Sequence, residues 1–223
     1  DDTFTVDRRR AREICREIRS RGLGVAWSVN ARSDTADADL FREMKEAGCR
    51  ELLVGFESGD QEVLNRMKKG ITLSQSEEFV RAAHRAGLSV HGCFVLGLPG
   101  ETVASMERTL AFAGSLKLDT LQFSAAIPFP GTEYYRYCRE NNLIRARSWE
   151  DWLDGGEQAT VVEYPELSKE QIQAYVDRGL KSFYLRPGFM LHFLLDTRSF
   201  SDLYRKVRGA KNFLSYLFSR DRG

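Results

Sequence analysis

Apolar runs of the 223-residue chain end abruptly in acidic, hydroxyl or glycine residues. The run 52–56 leads into Glu57 and Ser58, and the run 92–96 leads into Gly97. A carboxylate that follows a buried run needs a partner, because burying an unpaired charge is costly. It can accept charge-assisted hydrogen bonds from ammonium or hydroxyl groups, and a glycine lets a flat ligand approach the backbone closely. These residues are therefore candidates for a ligand-binding site.

The residues around these runs predict the elements that hold the candidates in place. Strands are expected at 25–30, 51–56, 89–96 and 120–125, and helices at 6–21, 37–47, 74–86, 102–116 and 133–141. Ser74 and Glu77 are expected to form the capping box of the helix at 74–86. Strict alternation of strands and helices predicts an α/β fold with a parallel sheet or barrel, whose chemistry lies at the carboxyl ends of the strands. The chain is therefore expected to be part of an enzyme.

Short motifs in a fixed order resemble those of the radical S-adenosylmethionine (radical SAM) superfamily. They occupy residues 1–5, 30–32, 54–58, 68–72, 92–101 and 128–132. The resemblance covers about residues 1 to 145 and is closest to the branch whose members often carry a cobalamin-binding domain. It implies a partial, TIM-like barrel of six parallel strands, of which this chain supplies strands three to six. The three clustered cysteines that define the family are absent from the sequence, so the chain is expected to be an inactive fragment of a longer enzyme.

The resemblance implies which side chains bind the amino-acid and ribose parts of S-adenosylmethionine. Asp2 is expected to hold the methionine amino group, and Arg32 to pair with the methionine carboxylate in a bidentate manner. Glu57 and Ser58 match the family's ribose and methionine contacts. Without the resemblance, Asp2 would be explained as a charge at a helix N-terminus and Ser58 as an N-cap.

The resemblance also implies that the end of the expected strand at 89–96 contacts the adenine ring. Phe94, Val95 and Leu96 are expected to contact adenine through backbone and apolar atoms, and Gly97 to let the ring approach. The turn after Gly97 lacks the ending of a phosphate-binding loop, so no phosphate site is expected there. Glu101, at the end of this turn, is explained by the dipole of the helix that follows, which favours an acidic residue near the helix N-terminus.

The cysteines predict no metal site and the sequence predicts no catalytic side chain. Cys15, Cys49, Cys93 and Cys138 lie tens of residues apart, whereas zinc and iron–sulfur sites usually contain a closely spaced pair. Cys15 lies on the apolar side of the first predicted helix and is expected to be buried. His91 with Cys93 could supply two metal ligands, but no further pair supports a site.

Composition and charge exclude several classes of protein. A net charge of +1 gives no overall attraction to nucleic acid, so no nucleic-acid partner is expected. No apolar run approaches the roughly 20 residues that span a bilayer. The first residues show no basic stretch followed by an apolar one, as a secretion signal would. The expected compartment is therefore the cytoplasm.

The pattern changes after residue 146, which predicts a barrel portion over 1–146 and a mostly helical extension over 147–223. Helices are expected at 167–184, with Ser168 as the cap, and at 199–218. Basic side chains lie off the apolar stripe of the last helix, so it could contact a membrane surface peripherally or pack on its own domain. The packing alternative is favoured.

The resemblance implies the activity of the intact protein. A reduced four-iron–four-sulfur (4Fe–4S) cluster would cleave S-adenosylmethionine to a 5′-deoxyadenosyl radical, or methyl would be transferred to a small substrate. Electrons would come from a donor such as flavodoxin or ferredoxin, and cobalamin is a further cofactor if its domain precedes. The aromatic-rich tail at 183–218 favours a hydrophobic, lipid-like substrate. The alternative is a non-catalytic α/β binding or interaction module that keeps the barrel geometry without the cluster.

Overall fold

The strands predicted around the candidate residues form one parallel sheet. The computed structural model describes residues 3–154, 157–158, 160–190 and 208–209. Its main strands are β1 (Trp27–Ala31), β2 (Cys49–Glu57), β3 (Ser89–Leu96) and β4 (Thr120–Ala125). Neighbouring strands are parallel in the order β1-β2-β3-β4, and among the described residues β1 and β4 stay at the two edges. The prediction of a parallel α/β fold that forms part of a barrel is confirmed.

Helices connect the strands, because a parallel pair needs a crossover connection. The helices are α1 (Arg8–Ser20), α2 (Ala38–Glu46), α3 (Gln61–Arg66), α4 (Leu73–Arg85), α5 (Val103–Ser115), α6 (Glu133–Glu140) and α7 (Lys169–Tyr184). Two short strands, β5 (Leu153–Asp154) and β6 (Glu157–Gln158), form an antiparallel pair. Val162 and Ile144 form an isolated antiparallel bridge.

One side of the sheet is covered by helices. Phe94 on β3 stacks between Phe56 on β2 and Phe123 on β4, with ring centres 5.6 and 5.2 Å away. All of these rings are buried, and helices α2, α4 and α5 pack against β2 and β3. We call the side that carries these three phenylalanines the helix-covered face. It holds the core of the sheet.

The opposite side of the sheet is less covered. Successive side chains of a strand point to opposite faces, so Cys93 and Val95 lie on the other side from Phe94. Both are half-buried, as are Gly55 and Ser124, which pair with them on the neighbouring strands. We call this side, defined by Gly55, Cys93, Val95 and Ser124, the open face. A ligand at the carboxyl ends of β2 and β3 meets this face.

Helix α4 is capped by Thr72, and the capping box expected on Ser74 and Glu77 is wrong. The Thr72 hydroxyl accepts from the Gln75 N–H at 3.2 Å, and the Gln75 side chain accepts from the Thr72 N–H at 2.7 Å. Thr72 has the extended backbone that an N-cap needs. Ile71 is buried directly before it, which fixes the point where the chain enters the helix.

Replacing Thr72 with alanine is expected to lower the free energy of unfolding by about 1 kcal/mol, because α4 loses its cap. Ser74→Ala removes a hydroxyl of the same kind two residues later and should change this free energy by less than about 0.5 kcal/mol. Urea unfolding of both variants measures the difference. Equal losses, or a larger loss for Ser74→Ala, would mean that Thr72 is not the cap.

Helix α7 confirms the helix expected at 167–184 and its cap. The Ser168 hydroxyl accepts from the Gln171 N–H at 3.2 Å, and the Gln171 side chain accepts from the Ser168 N–H at 2.9 Å. The helix expected at 199–218 lies outside the described residues, apart from 208–209. None of the helices in the described part of the chain is long and apolar enough to span a membrane.

The chain divides into two compact units, Asp1–Val176 and Asp177–Gly223. The first unit contains the sheet. In the described part of the second, the rings of Phe183 and Phe189 lie 5.4 Å apart, and the Arg186 guanidinium lies 4.1 Å from the centre of the Phe183 ring. The domain boundary expected near residue 146 stays a prediction.

Candidate functional site

Glu57 forms an ion pair with Lys69 at the carboxyl end of β2. The Lys69 Nζ donates to the Glu57 Oε1 at 2.6 Å. The two side chains keep 24% (Lys69) and 25% (Glu57) of their surface exposed, and pairs that water reaches contribute only about 0–1 kcal/mol to stability. Both charged groups therefore remain accessible to a ligand. Lys69 was not among the predicted site residues, although it lies in the motif 68–72.

The backbone of Glu57 explains where its carboxylate points. Its φ is 64°, in the left-handed region, and the register between β2 and β3 shifts between Gly55 and Glu57. The carboxylate turns back over Gly55: a Cβ on Gly55 would collide with the Glu57 Oε1 and lie 3.4 Å from the Lys69 Nζ. The pair therefore lies on the open face. Strained backbone of this kind is concentrated at functional sites.

Arg32 supports the loop that carries Lys69. Its Nε and Nη2 donate to the two carboxylate oxygens of Asp34 at 3.1 and 2.9 Å, and Nη2 also donates to the Lys69 carbonyl at 3.1 Å. The hydrogen bond from Arg32 lowers the pKa of Asp34, so the carboxylate stays charged. The guanidinium is thus already paired within the protein. Asp2, expected to hold the methionine amino group, lies outside the described residues.

Ser58 faces α5. Its hydroxyl lies 3.0 Å from the Thr109 Oγ1 and accepts from the Asp60 N–H at 3.1 Å. The side chain is fully buried. The N-cap of α3 is Asp60, whose carboxylate accepts from the Val63 N–H at 3.1 Å, so the N-cap explanation for Ser58 is wrong. The structure does not bring the Ser58 hydroxyl to the open face beside Glu57.

The side chains of Phe94 and Leu96 also lie away from the open face. Both are buried on the helix-covered face, where Phe94 stacks with its neighbouring phenylalanines. A ligand on the open face can therefore meet only their backbone atoms. Val95, between them, presents its half-buried side chain to the open face. Among these three residues, only the Val95 side chain is placed to make an apolar contact with a ligand on that face.

Gly97 makes the turn at the end of β3, and its backbone is fully engaged by the protein. Its φ is +82°, which favours glycine. The Gly97 N–H donates to the Glu101 Oε2 at 2.6 Å, and its carbonyl accepts from the hydroxyls of Tyr164 and Tyr134 at 2.9 and 3.2 Å. A Cβ would lie 2.8 Å from the Ile172 Cδ1. The close approach that requires this glycine is made by Ile172.

Glu101 is a buried carboxyl at the centre of this turn. Its Oε2 accepts from the N–H groups of Gly97 and Leu98, while its Oε1 has no hydrogen-bond partner among the described residues. Burial raises the pKa of Glu101 to about 7, although the two backbone N–H groups act in the opposite direction. The helix-dipole explanation is therefore incomplete, because this carboxylate mainly holds the Gly97 turn.

The raised pKa of Glu101 predicts how stability depends on pH. Since the folded-state pKa lies near 7, above the ordinary value of 4.5, the stabilisation is complete below about pH 4.5 and is lost as the pH rises through 7. We expect Glu101→Gln to remove this loss, which is on the order of 3 kcal/mol. Urea unfolding between pH 5 and 8 measures it, with the exposed Glu140→Gln as control. An unchanged pH slope in Glu101→Gln would show that Glu101 is not the titrating group.

The described residues do not form a site for an iron–sulfur cluster. No three His, Cys, Asp or Glu side chains come together there to hold a metal. Cys15 is buried, as expected, and so is Cys49; burial raises the pKa of each thiol to about 11, which disfavours the thiolate that binds metals. His91 makes a 2.8 Å contact through Nδ1 with the Thr120 Oγ1.

The open face fits an amino-acid nucleoside. Such a ligand offers an ammonium, a carboxylate, ribose hydroxyls and a flat base. Glu57 presents an acceptor, Lys69 presents a donor, and the half-buried Val95 presents an apolar surface. Cys93 pairs with Gly55, over which the ion pair lies, and burial and the Glu57 carboxylate raise the pKa of its thiol while Lys69 lowers it. S-adenosylmethionine has the groups that these residues can bind.

The fold and the site together define a class of protein. A parallel α/β sheet with a charged pair at the carboxyl end of a strand is typical of enzymes that bind polar ligands at their strand ends. The sequence pattern of the Radical SAM superfamily matches residues 1–113. The chain belongs to the radical SAM superfamily, as the resemblance of its motifs indicated.

Relatives support this placement, and a solved structure shares the fold. An uncharacterized methyltransferase of Pyrococcus horikoshii is 34% identical over 209 residues, 94% of this chain and 45% of that protein. The cytidylyl-2-hydroxyethylphosphonate methyltransferase of Streptomyces wedmorensis is 31% identical over 151 residues, 65% of this chain and 28% of that protein. The radical S-adenosylmethionine methyltransferase TsrM of Kitasatospora setae, solved with cobalamin and a 4Fe–4S cluster bound, gives a TM-score of 0.65 at 19% identity over 84% of this chain and 42% of that one. That last likeness shows the fold, and the chain spans less than half the length of each of these three proteins.

Proposed function

We propose that this chain is the S-adenosylmethionine-binding portion of a radical SAM enzyme, and that the intact protein transfers a methyl group. The observation that carries the proposal is the Glu57–Lys69 pair, held at 2.6 Å on the open face of the sheet. Two relatives of the chain are named as methyltransferases, which supports methyl transfer. Generation of a 5′-deoxyadenosyl radical is the other reaction that the family membership supports.

Each residue of the open face has a proposed role in binding. The Glu57 carboxylate accepts hydrogen bonds from the ribose hydroxyls, and the Lys69 ammonium pairs with the methionine carboxylate. Arg32, which donates to the Lys69 carbonyl, holds the loop in place. Val95 contacts the adenine ring and excludes water from one of its sides. When bound, S-adenosylmethionine supplies the methyl group or the radical, and Asp2 stays the predicted partner of its amino group.

The remaining components are proposed for the intact protein. The described residues contain no group of three His, Cys, Asp or Glu side chains that could hold the 4Fe–4S cluster, so its ligands are proposed to come from other segments. Cobalamin is proposed as a further cofactor, bound by another domain of the intact protein. The proposed electron donor is a flavodoxin or ferredoxin, and the proposed compartment is the cytoplasm. The proposed substrate is a small hydrophobic molecule, favoured by the aromatic residues of the tail at 183–218. Peripheral membrane contact through 199–218 stays the less favoured alternative to packing.

Product analysis tests the proposed function. The intact protein is reconstituted anaerobically with iron and sulfide and incubated with methyl-deuterated S-adenosylmethionine and a reductant. We expect 5′-deoxyadenosine or S-adenosylhomocysteine in the mass spectrum, and neither compound when the reductant is omitted. Binding of S-adenosylmethionine without either product would contradict the proposal and favour the non-catalytic binding module.

A further inference from the structure

The carbonyl of Gly97 accepts hydrogen bonds from two tyrosines. The hydroxyls of Tyr164 and Tyr134 lie 2.9 and 3.2 Å from this oxygen, and 3.1 Å from each other. Burial raises the pKa of both phenols, so both stay protonated and able to donate. The two phenol protons can both go to the carbonyl, or one can go to the carbonyl and the other to the second hydroxyl, so the carbonyl has a donor in either arrangement. Either hydroxyl can therefore serve the carbonyl if its partner is lost.

These contacts come from elements that follow the sheet in the chain. Tyr134 lies on α6, and Tyr164 lies in the segment before α7. The same segment contributes Thr160, whose hydroxyl donates to the Ala126 carbonyl just past β4 at 2.8 Å. Helix α7 contributes the fully buried Ile172, which packs against Gly97. All of these residues belong to the first compact unit, and together they enclose the carboxyl ends of β3 and β4.

The Gly97 turn is continuous with the apolar surface of the proposed site. Leu98 follows Gly97 directly and forms a buried cluster with Val63 and Ala126, against which Val95 and Tyr134 pack. Val95 is the open-face residue two positions before Gly97. Because Val95 packs against the cluster that contains Leu98, a rotation of the Gly97 peptide that displaced Leu98 would also change the packing of Val95.

We infer that Tyr134 and Tyr164 are positioning residues of the nucleoside site. Their hydrogen bonds to the Gly97 carbonyl fix the position of this peptide. The packing of Val95 and Leu98 depends on that position. The inference rests on the proposed function, in which Val95 contacts adenine. It also assigns residues 160–172 to the site, although they lie beyond the barrel portion expected at 1–146.

Calorimetric titration with S-adenosylhomocysteine, which is not cleaved, tests the inference in the intact protein. We expect Tyr134→Phe and Tyr164→Phe to weaken binding by less than about threefold each, and the double variant by about tenfold or more, since only the double change leaves the carbonyl without a donor. Tyr137→Phe, an exposed tyrosine on the same helix as Tyr134, is the matched control and should bind like the wild type.

Affinity per folded molecule separates positioning from a merely structural role. A double variant that melts at a lower temperature but binds S-adenosylhomocysteine like the wild type would overturn the inference. If the double variant fails to fold, Ile172→Val trims one methyl from the contact over Gly97 and should weaken binding about threefold; unchanged affinity there would likewise overturn it. A wild-type protein that binds no S-adenosylhomocysteine would instead contradict the proposed function.

Discussion

Glu57→Gln in the intact protein is expected to weaken the binding of S-adenosylmethionine by about ten- to a hundred-fold, which corresponds to roughly 1.5–3 kcal/mol for one charge-assisted hydrogen bond. The amide keeps the size of the side chain but loses the charge that is proposed to bind the ribose hydroxyls. Loss of this charge should lower the free energy of unfolding only slightly, because both side chains of the Glu57–Lys69 ion pair are partly exposed to solvent. Titration calorimetry and a thermal melt of the same samples measure both quantities.

The control for this substitution is Glu62→Gln, which removes a carboxylate of the same type from the exposed start of α3. It should leave both affinity and melting temperature unchanged. A lower melting temperature for Glu57→Gln, with unaltered affinity per folded molecule, would make Glu57 a structural partner of Lys69 and remove it from the site.

Phe94→Ala is expected to lower the free energy of unfolding by about 3–5 kcal/mol, because the ring fills the core between Phe56 and Phe123. Its side chain lies on the helix-covered face, so the affinity of the folded molecules for S-adenosylhomocysteine should not change. Urea unfolding gives the stability, and calorimetry at a temperature where the variant is folded gives the affinity.

Val95→Ala is the matched comparison on the neighbouring position. Val95 is half-buried on the open face, so its truncation should cost less stability than that of Phe94 but weaken binding of the nucleoside. The reverse pattern, with lost affinity for Phe94→Ala and none for Val95→Ala, would show that the two faces of β3 are assigned the wrong way round.

The order of elements could be predicted from the sequence because it depends on local patterns. Glycines follow the ends of several helices and apolar runs mark the strands, so the alternation of helices and strands, and hence the parallel pairing, could be predicted. The position of Glu57 at a strand end could also be predicted from a local signal, since Glu57 directly follows an apolar run. These signals need no knowledge of distant residues.

The face of β3 that meets a ligand could not be predicted in the same way. Phe94, Val95 and Leu96 are all apolar, so period-2 alternation gives no sign of which side is open. The choice is made by Phe56 and Phe123, which come from neighbouring strands and bury the ring of Phe94. Sheet register, which depends on distant residues, therefore decided this part of the site.

Contacts between residues that lie far apart in the chain could also not be predicted from the sequence. Lys69 reaches Glu57 from a loop, and Gly55 provides the room for their contact. Gly97 was explained by ligand approach, whereas Ile172, 75 positions later, is what approaches it. In each case a local motif marked an unusual residue, but its reason depends on tertiary packing.

A crystal structure of the intact protein with S-adenosylmethionine tests the central claim most directly. The proposed site predicts the nucleoside on the open face at the carboxyl ends of β2 and β3, with its ribose hydroxyls within hydrogen-bond distance of the Glu57 carboxylate and adenine against Val95. A nucleoside bound elsewhere, with Glu57 still paired only to Lys69, would contradict it.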